Sequence, residues 1–89
     1  MWTYVTEKTP RVSEIIEITY RRKSVSGTFF YWDVGEAFYI GHNIYMLADT
    51  KKKLRKSVVA WRPISDRTPC YIKNWDESKD EEYWNEVQL

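Results

Sequence analysis

Reactive side chains are scarce in this 89-residue chain, which holds one histidine and one cysteine. General acid–base or nucleophilic catalysis usually needs such a group beside an orienting partner. His42 falls in a Gly41-His42-Asn43 turn signal, where an exposed polar tip is the simple reading. Cys70 follows Pro69 and has no basic neighbour closer than Arg67 and Lys73, so it makes a poor nucleophile. The paired carboxylates, Asp76 with Glu77 and Asp80 with Glu81 and Glu82, crowd into the last stretch of the chain. A solvated helix there would not desolvate an acid as catalytic tuning requires. One histidine and scattered acids give no metal-ligand spacing, and three glycines, Gly27, Gly35 and Gly41, make no phosphate-cradling loop. A non-catalytic protein without metal or cofactor is expected.

Binding chemistry is better supplied. Five Trp, seven Tyr and three Phe exceed what a small core needs. Net charge is only +1, yet residues 1 to 75 carry thirteen Lys and Arg against seven acids, and residues 76 to 89 carry one Lys against six. The basic residues cluster at Arg21, Arg22 and Lys23 and at Lys51, Lys52, Lys53, Arg55 and Lys56. Such clusters create local positive potential that attracts phosphates or an acidic protein face.

The elements that must position these residues are mostly strands. Between Val12 and Tyr20, Ile16, Ile18 and Tyr20 alternate with Ile15, Glu17 and Thr19, the pattern of a strand with one buried face. Ser24, Ser26 and Gly27 break it. Thr28 to Val34 is an aromatic second strand, in which Phe29 and Tyr31 face opposite Phe30 and Trp32. Unless both faces are covered, one of these pairs must leave the core. Gly35-Glu36 suits a tight reversal, and Ala37 to Ile40 reads as a third strand. Gly41-His42-Asn43 marks the next turn, Ile44 to Leu47 a short strand or an extension, and Asp49 to Lys56 a charged loop or one helical turn. Ser57 to Arg62 is a strand ended by Pro63, which cannot donate to a ladder. From Asp76 an N-cap, an acidic first turn and a face shared by Asp80, Trp84 and Val87 predict a short helix. The expected fold is α+β and mostly β. It has four or five antiparallel strands in a meander or small open barrel over residues 1–75, with an acidic C-terminal helix over 76–89 packed on the same domain.

Trp2 to Pro10 returns in type as Trp61 to Pro69, and each copy reads as a strand end, a hydroxyl-capped turn at Thr6 or Ser65 and a restart. The Trp2-x-x-Val5-x-Glu7-Lys8-Thr9-Pro10 opening, followed by Val58-Val59-Ala60-Trp61-Arg62-Pro63-Ile64, resembles a small domain family of unknown function found in phages and prophages. Members of that family begin with a Trp-Ile-x-Val-x-Asp-Arg-Leu-Pro-like motif and finish with Val-Thr-His-Trp-Met-Pro-Leu-Pro. Coverage is residues 1 to about 65; Thr9 stands where the family has Leu, and Ala60 where it has His. The resemblance implies a phage setting and a β-rich fold, and fixes no activity.

Two binding functions follow. In the first, the domain docks on a host protein and blocks it, as an anti-CRISPR-like inhibitor of host defence would. The acidic segment Asp80, Glu81, Glu82, Tyr83 and Trp84 is its contact surface. In the second, Phe29 and Tyr31 stack on bases of a nucleotide, a cyclic signal or single-stranded nucleic acid. Arg21, Arg22, Lys51, Lys52, Lys53 and Arg55 then meet its phosphates. Two apolar sheet faces also predict a homodimer. One cysteine excludes an internal disulfide, Met1-Trp2-Thr3 begins no secretory signal, and no stretch approaches the ~18 apolar residues of a span. The host cytoplasm is the expected location.

Overall fold

The computed structural model of the chain describes residues 2–64 and 76–80. Six antiparallel strands form one open sheet: β1 (Thr3–Tyr4), β2 (Ile15–Lys23), β3 (Phe30–Gly41), β4 (Ile44–Leu47), β5 (Lys53–Leu54) and β6 (Val58–Arg62). Their spatial order is β1-β6-β2-β3-β4-β5. The mostly β expectation holds, in the open-sheet form. The strands expected at Thr28 to Val34 and Ala37 to Ile40 merge into β3, and the two edge strands, two residues long and too short to show a period, bring the total to six. Short edges also offer little template for a further strand.

Alternation along the central strand β2 places Ile16, Ile18 and Tyr20 on one face. There they pack with Ala37, Tyr39, Tyr45, Leu47, Leu54 and Val58. The opposite face is buried too, but polar: Glu17, Thr19 and Arg62 are each under 10% exposed. On that face Arg62 Nε donates to Glu17 Oε1 at 3.0 Å, and its guanidinium lies 4.0 Å from the Trp2 ring centre. The pairing Glu17↔Arg62 across β2 and β6 sets this contact.

Gly35-Glu36 does not reverse the chain. Strand β3 runs unbroken for twelve residues, and Gly35 sits opposite Ile18. Its role is steric. A Cβ at Gly35 would meet Leu47 Cδ2 at 3.2 Å and Tyr20 Cε1 at 3.3 Å, so the missing side chain lets the Tyr20 ring lie flat across the strand. The reversal comes at His42-Asn43, both at positive φ between paired Gly41 and Ile44, a two-residue hairpin turn. His42 is exposed at its tip, as expected. Of the two readings of Asp49 to Lys56, the charged loop is the one found, with Lys51 at φ 63°, and it is interrupted by the short strand β5.

The two copies of the repeated segment meet. β1 pairs with β6 at Thr3↔Trp61, and Trp61 Nε1 donates to the Lys8 carbonyl at 2.8 Å, clasping the first copy's turn. Residues 65–69 of the second copy lie outside the described residues. Asp76 accepts from Ser78 N at 3.1 Å and caps a 3-10 turn, Glu77–Lys79. The rest of the predicted helix, residues 81–89, lies outside the described residues. No described helix is long and apolar enough to cross a membrane.

Candidate binding site

Pairing is uneven along β2 and β3, and that unevenness makes an arm. β6 accompanies β2 only as far as Tyr20, with one more backbone bond from Arg21 N to Ser57 O. β4 accompanies β3 from Ala37 onward, with one bond from Ala48 N to Glu36 O. Between these limits residues 21–23 and 30–32 are strand-paired with each other, in the register Arg21↔Trp32, Arg22↔Tyr31 and Lys23↔Phe30. The turn that joins them is held by Ser24, whose Oγ accepts from Thr28 N and Phe29 N.

Each face of the arm has its own chemistry. On one, cations lie across from rings: Arg21 is 5.0 Å from the Trp32 ring centre, and Lys23 is 5.6 Å from that of Phe30. On the other, Phe29 and Tyr31 pack with centroids 6.0 Å apart, and Arg22 Nη1 donates to Asp33 Oδ2 at 2.8 Å. None of these four rings belongs to the core. Phe29 is 58% exposed, Val25 at the tip is fully exposed, and Phe30, Tyr31 and Trp32 are half-buried. Four of the rings that the sequence holds in surplus therefore share the arm, while Tyr4, 41% exposed, lies apart from it on β1.

At the root of the arm, on the Tyr31 side, a cleft of about 310 Å³ opens where β4 ends. Tyr20, Arg22, Asp33, Gly35, Glu36 and Asp49 line it. Tyr20 is only 5% exposed. Burial, then the Asp33 charge, push its hydroxyl up to about 12 from 10.0, the Asp49 charge adding in the same direction and Arg22 opposing. The hydrogen bond to Asp33 holds the Arg22 guanidinium more firmly protonated than usual. Asp33 and Asp49 against one guanidinium make the cleft acidic, while Glu36, opposite Glu17 in the register, turns its side chain to the other face of the sheet.

The residues singled out from the sequence are dispersed. Asp80 is buried at 4% exposure, and its carboxylate accepts from Arg21 Nε at 3.1 Å and Nη2 at 3.2 Å. Glu81, Glu82, Tyr83, Trp84 and Cys70 lie outside the described residues. Phe29, Tyr31, Arg21 and Arg22 share the arm, with Arg21 tied to Asp80 and Arg22 to Asp33. Lys51, Lys52, Lys53 and Arg55 sit apart, in and after the β4–β5 loop. There Lys51 Nζ lies 5.9 Å from the Phe38 ring centre, and the pairings Ile15↔Phe38, Phe38↔Met46 and Met46↔Lys53 set a cross-strand row. Among the described residues no group of three or more His, Cys, Asp or Glu could hold a metal ion. The cleft itself had no signature in the sequence, because Tyr20, Asp33 and Asp49 come together only through the strand register and the unbroken run through Gly35.

Compared with protein-family models, curated proteins and solved structures, the chain matches none.

Proposed function

We propose that this chain is a non-catalytic binding protein that docks on a partner protein through the β2–β3 arm. The supporting observation is the arm itself, a two-stranded projection carrying four rings outside the core, with Phe29 more than half exposed. Aromatic residues and arginine concentrate binding energy at protein interfaces, and rings lose little side-chain entropy when they dock. Charge favours a protein over a nucleic acid at this place. Arg21 and Arg22 are each matched by a carboxylate, and the cleft beside Arg22 carries Asp33 and Asp49, which repel phosphate. In the phage or prophage setting that residues 2–10 and 58–64 resemble, the partner is a component of host defence and the binding protein is its inhibitor in the host cytoplasm.

A second reading has its own observation. Exposed Lys51 lies over Phe38 on the polar side of the sheet and exposed Lys53 stands one strand further, beyond Met46, an arrangement suited to a nucleotide or single strand that stacks on the ring and meets the cations. The two readings part on simple variants. Replacing Phe29 and Tyr31 with Ala should abolish capture of a protein partner and leave oligonucleotide mobility unchanged. Replacing Lys51, Lys52 and Lys53 with Glu should do the reverse. Sedimentation of both variants tests self-association, since a wild-type dimer lost in the Phe29/Tyr31 variant would assign the arm to a second copy.

A further inference from the structure

We infer that the end of the sheet's polar face carried by Ile15, Phe38 and Met46 is a docking surface for an anionic lipid bilayer, the apolar row entering the headgroup region and Lys51 and Lys53 meeting lipid phosphate. The pairings Ile15↔Phe38 and Phe38↔Met46 set these three side chains in line across β2, β3 and β4, and Met46↔Lys53 continues the line onto β5. A bond of 2.7 Å from Ser13 N to the Tyr39 carbonyl brings Val12 to the same end as Ile40, which sits at the bulge before the His42-Asn43 turn. Val12, Ile15 and Ile40 are 62%, 41% and 36% exposed, and Phe38 and Met46 are half-buried. None of these five belongs to the hydrophobic core. Apolar side chains scattered singly over a surface are ordinary, whereas a continuous group of them across three strands marks an interaction surface.

Charge selects the partner. Elsewhere on the sheet the guanidinium groups are matched, Arg21 by Asp80, Arg22 by Asp33 and Arg62 by Glu17. Lys51 and Lys53 are exposed and have no carboxylate partner among the described residues. Lys51 Nζ stands 5.9 Å from the Phe38 ring centre, so a cation rises directly from the apolar row. That arrangement suits a bilayer, because the stems of the lysines lie along the apolar region while the ammonium groups stay level with the phosphates. A single nucleic-acid strand would engage the ring and the lysines alone, since Val12, Ile15 and Ile40 offer no face on which a base can stack. Two acids border the row, Glu14 beside Ile15 and Glu36 two residues before Phe38, and both are exposed and oppose the attraction. Each lysine near an anionic surface strengthens binding about five-fold, so the pair contributes about 25-fold and holds the protein only weakly without the aliphatic side chains.

This surface lies apart from the arm, and its ligand is separate from the protein captured there. The test is co-sedimentation of the full chain with vesicles of phosphatidylglycerol and phosphatidylcholine in equal parts, and with vesicles of phosphatidylcholine alone. The protein should pellet with the anionic vesicles only, and less so as salt is raised. Lys51→Gln and Lys53→Gln should each weaken binding about five-fold. Ile15→Ser and Ile40→Ser should each weaken it about three-fold, the worth of removing a partly exposed aliphatic side chain from water. Glu36→Gln should tighten it, and Phe29→Ala/Tyr31→Ala should bind as the wild type does. Circular dichroism verifies that each variant is folded. No pelleting with anionic vesicles, or pelleting that ignores the two isoleucine variants, overturns the bilayer assignment. Competition by soluble glycerophosphoglycerol also overturns it, by moving recognition to the free headgroup. An oligonucleotide shift lost in the lysine variants, in a protein that binds no vesicle, assigns the surface to a nucleic-acid strand instead. A wild-type dimer that binds no vesicle and is split by Ile15→Ser assigns it to a second copy.

Discussion

Replacing Glu17 with Met removes one charge from the most enclosed ion pair among the described residues. Glu17 is 1% and Arg62 7% exposed, and Arg62 Nε donates to Glu17 Oε1 at 3.0 Å. Met fills nearly the same volume, so the change leaves packing close to intact and strips Arg62 of this counter-charge. Breaking one partner of a buried pair costs about 3–5 kcal/mol. An 89-residue domain has roughly 4–13 kcal/mol in total, so the variant should lose a large fraction of its stability. At roughly 4–8 °C per kcal/mol, Tm should fall by at least ~12 °C. The double replacement of Glu17 and Arg62 by Met should recover at least half of the loss, because two matched apolar groups no longer need to be desolvated as ions. It should not recover everything, since the guanidinium stacked 4.0 Å from Trp2 is gone. Thermal and urea unfolding followed by circular dichroism measure all three proteins. A Glu17→Met loss below ~1 kcal/mol, or a double variant whose loss is the sum of the singles, would refute the view that this polar face is a coupled, water-excluded pair.

Other perturbations separate the fold from the site. Gly35→Ala should destabilise by about 1 kcal/mol net, the strain of contacts at 3.2 and 3.3 Å outweighing the smaller backbone entropy gain; urea midpoints measure it. Phe29→Ala should change stability by less than ~0.5 kcal/mol, because the ring is already 58% exposed, so any binding loss in that variant reports the interface. Above pH 10 the unfolded chain releases the Tyr20 proton while the folded chain holds it to about 12, so stability should fall as pH rises across that window. Tyr20→Phe should flatten the pH dependence of unfolding there, and an unchanged slope would contradict the burial of this hydroxyl.

The sequence disclosed those parts of the fold that obey a period. Ile16, Ile18 and Tyr20 alternate with Glu17 and Thr19, and the structure puts them on opposite faces; Gly41-His42-Asn43 carries turn residues and turns. Where one residue type serves two purposes the pattern misleads. Gly35 next to Glu36 has the composition of a reversal, but its lack of a side chain serves instead to admit Tyr20 and Leu47 against an unbroken strand. Thr3–Tyr4 and Lys53–Leu54 are too short to alternate, and their pairing is a tertiary fact. The site was legible as an excess of rings on residues 29–32 and no further. Which cations remain available depends on Asp33 and Asp80, and the latter is 59 residues from the arginine it engages.

The most direct test of the docking reading is paired affinity capture from bacterial lysate, with wild-type protein and the Phe29→Ala/Tyr31→Ala variant as baits and folding of both verified by circular dichroism. One stoichiometric protein partner held by the wild type and absent from the variant is the expected result. Equal recovery on both baits would contradict it, as would release of nucleic acid as the only wild-type ligand.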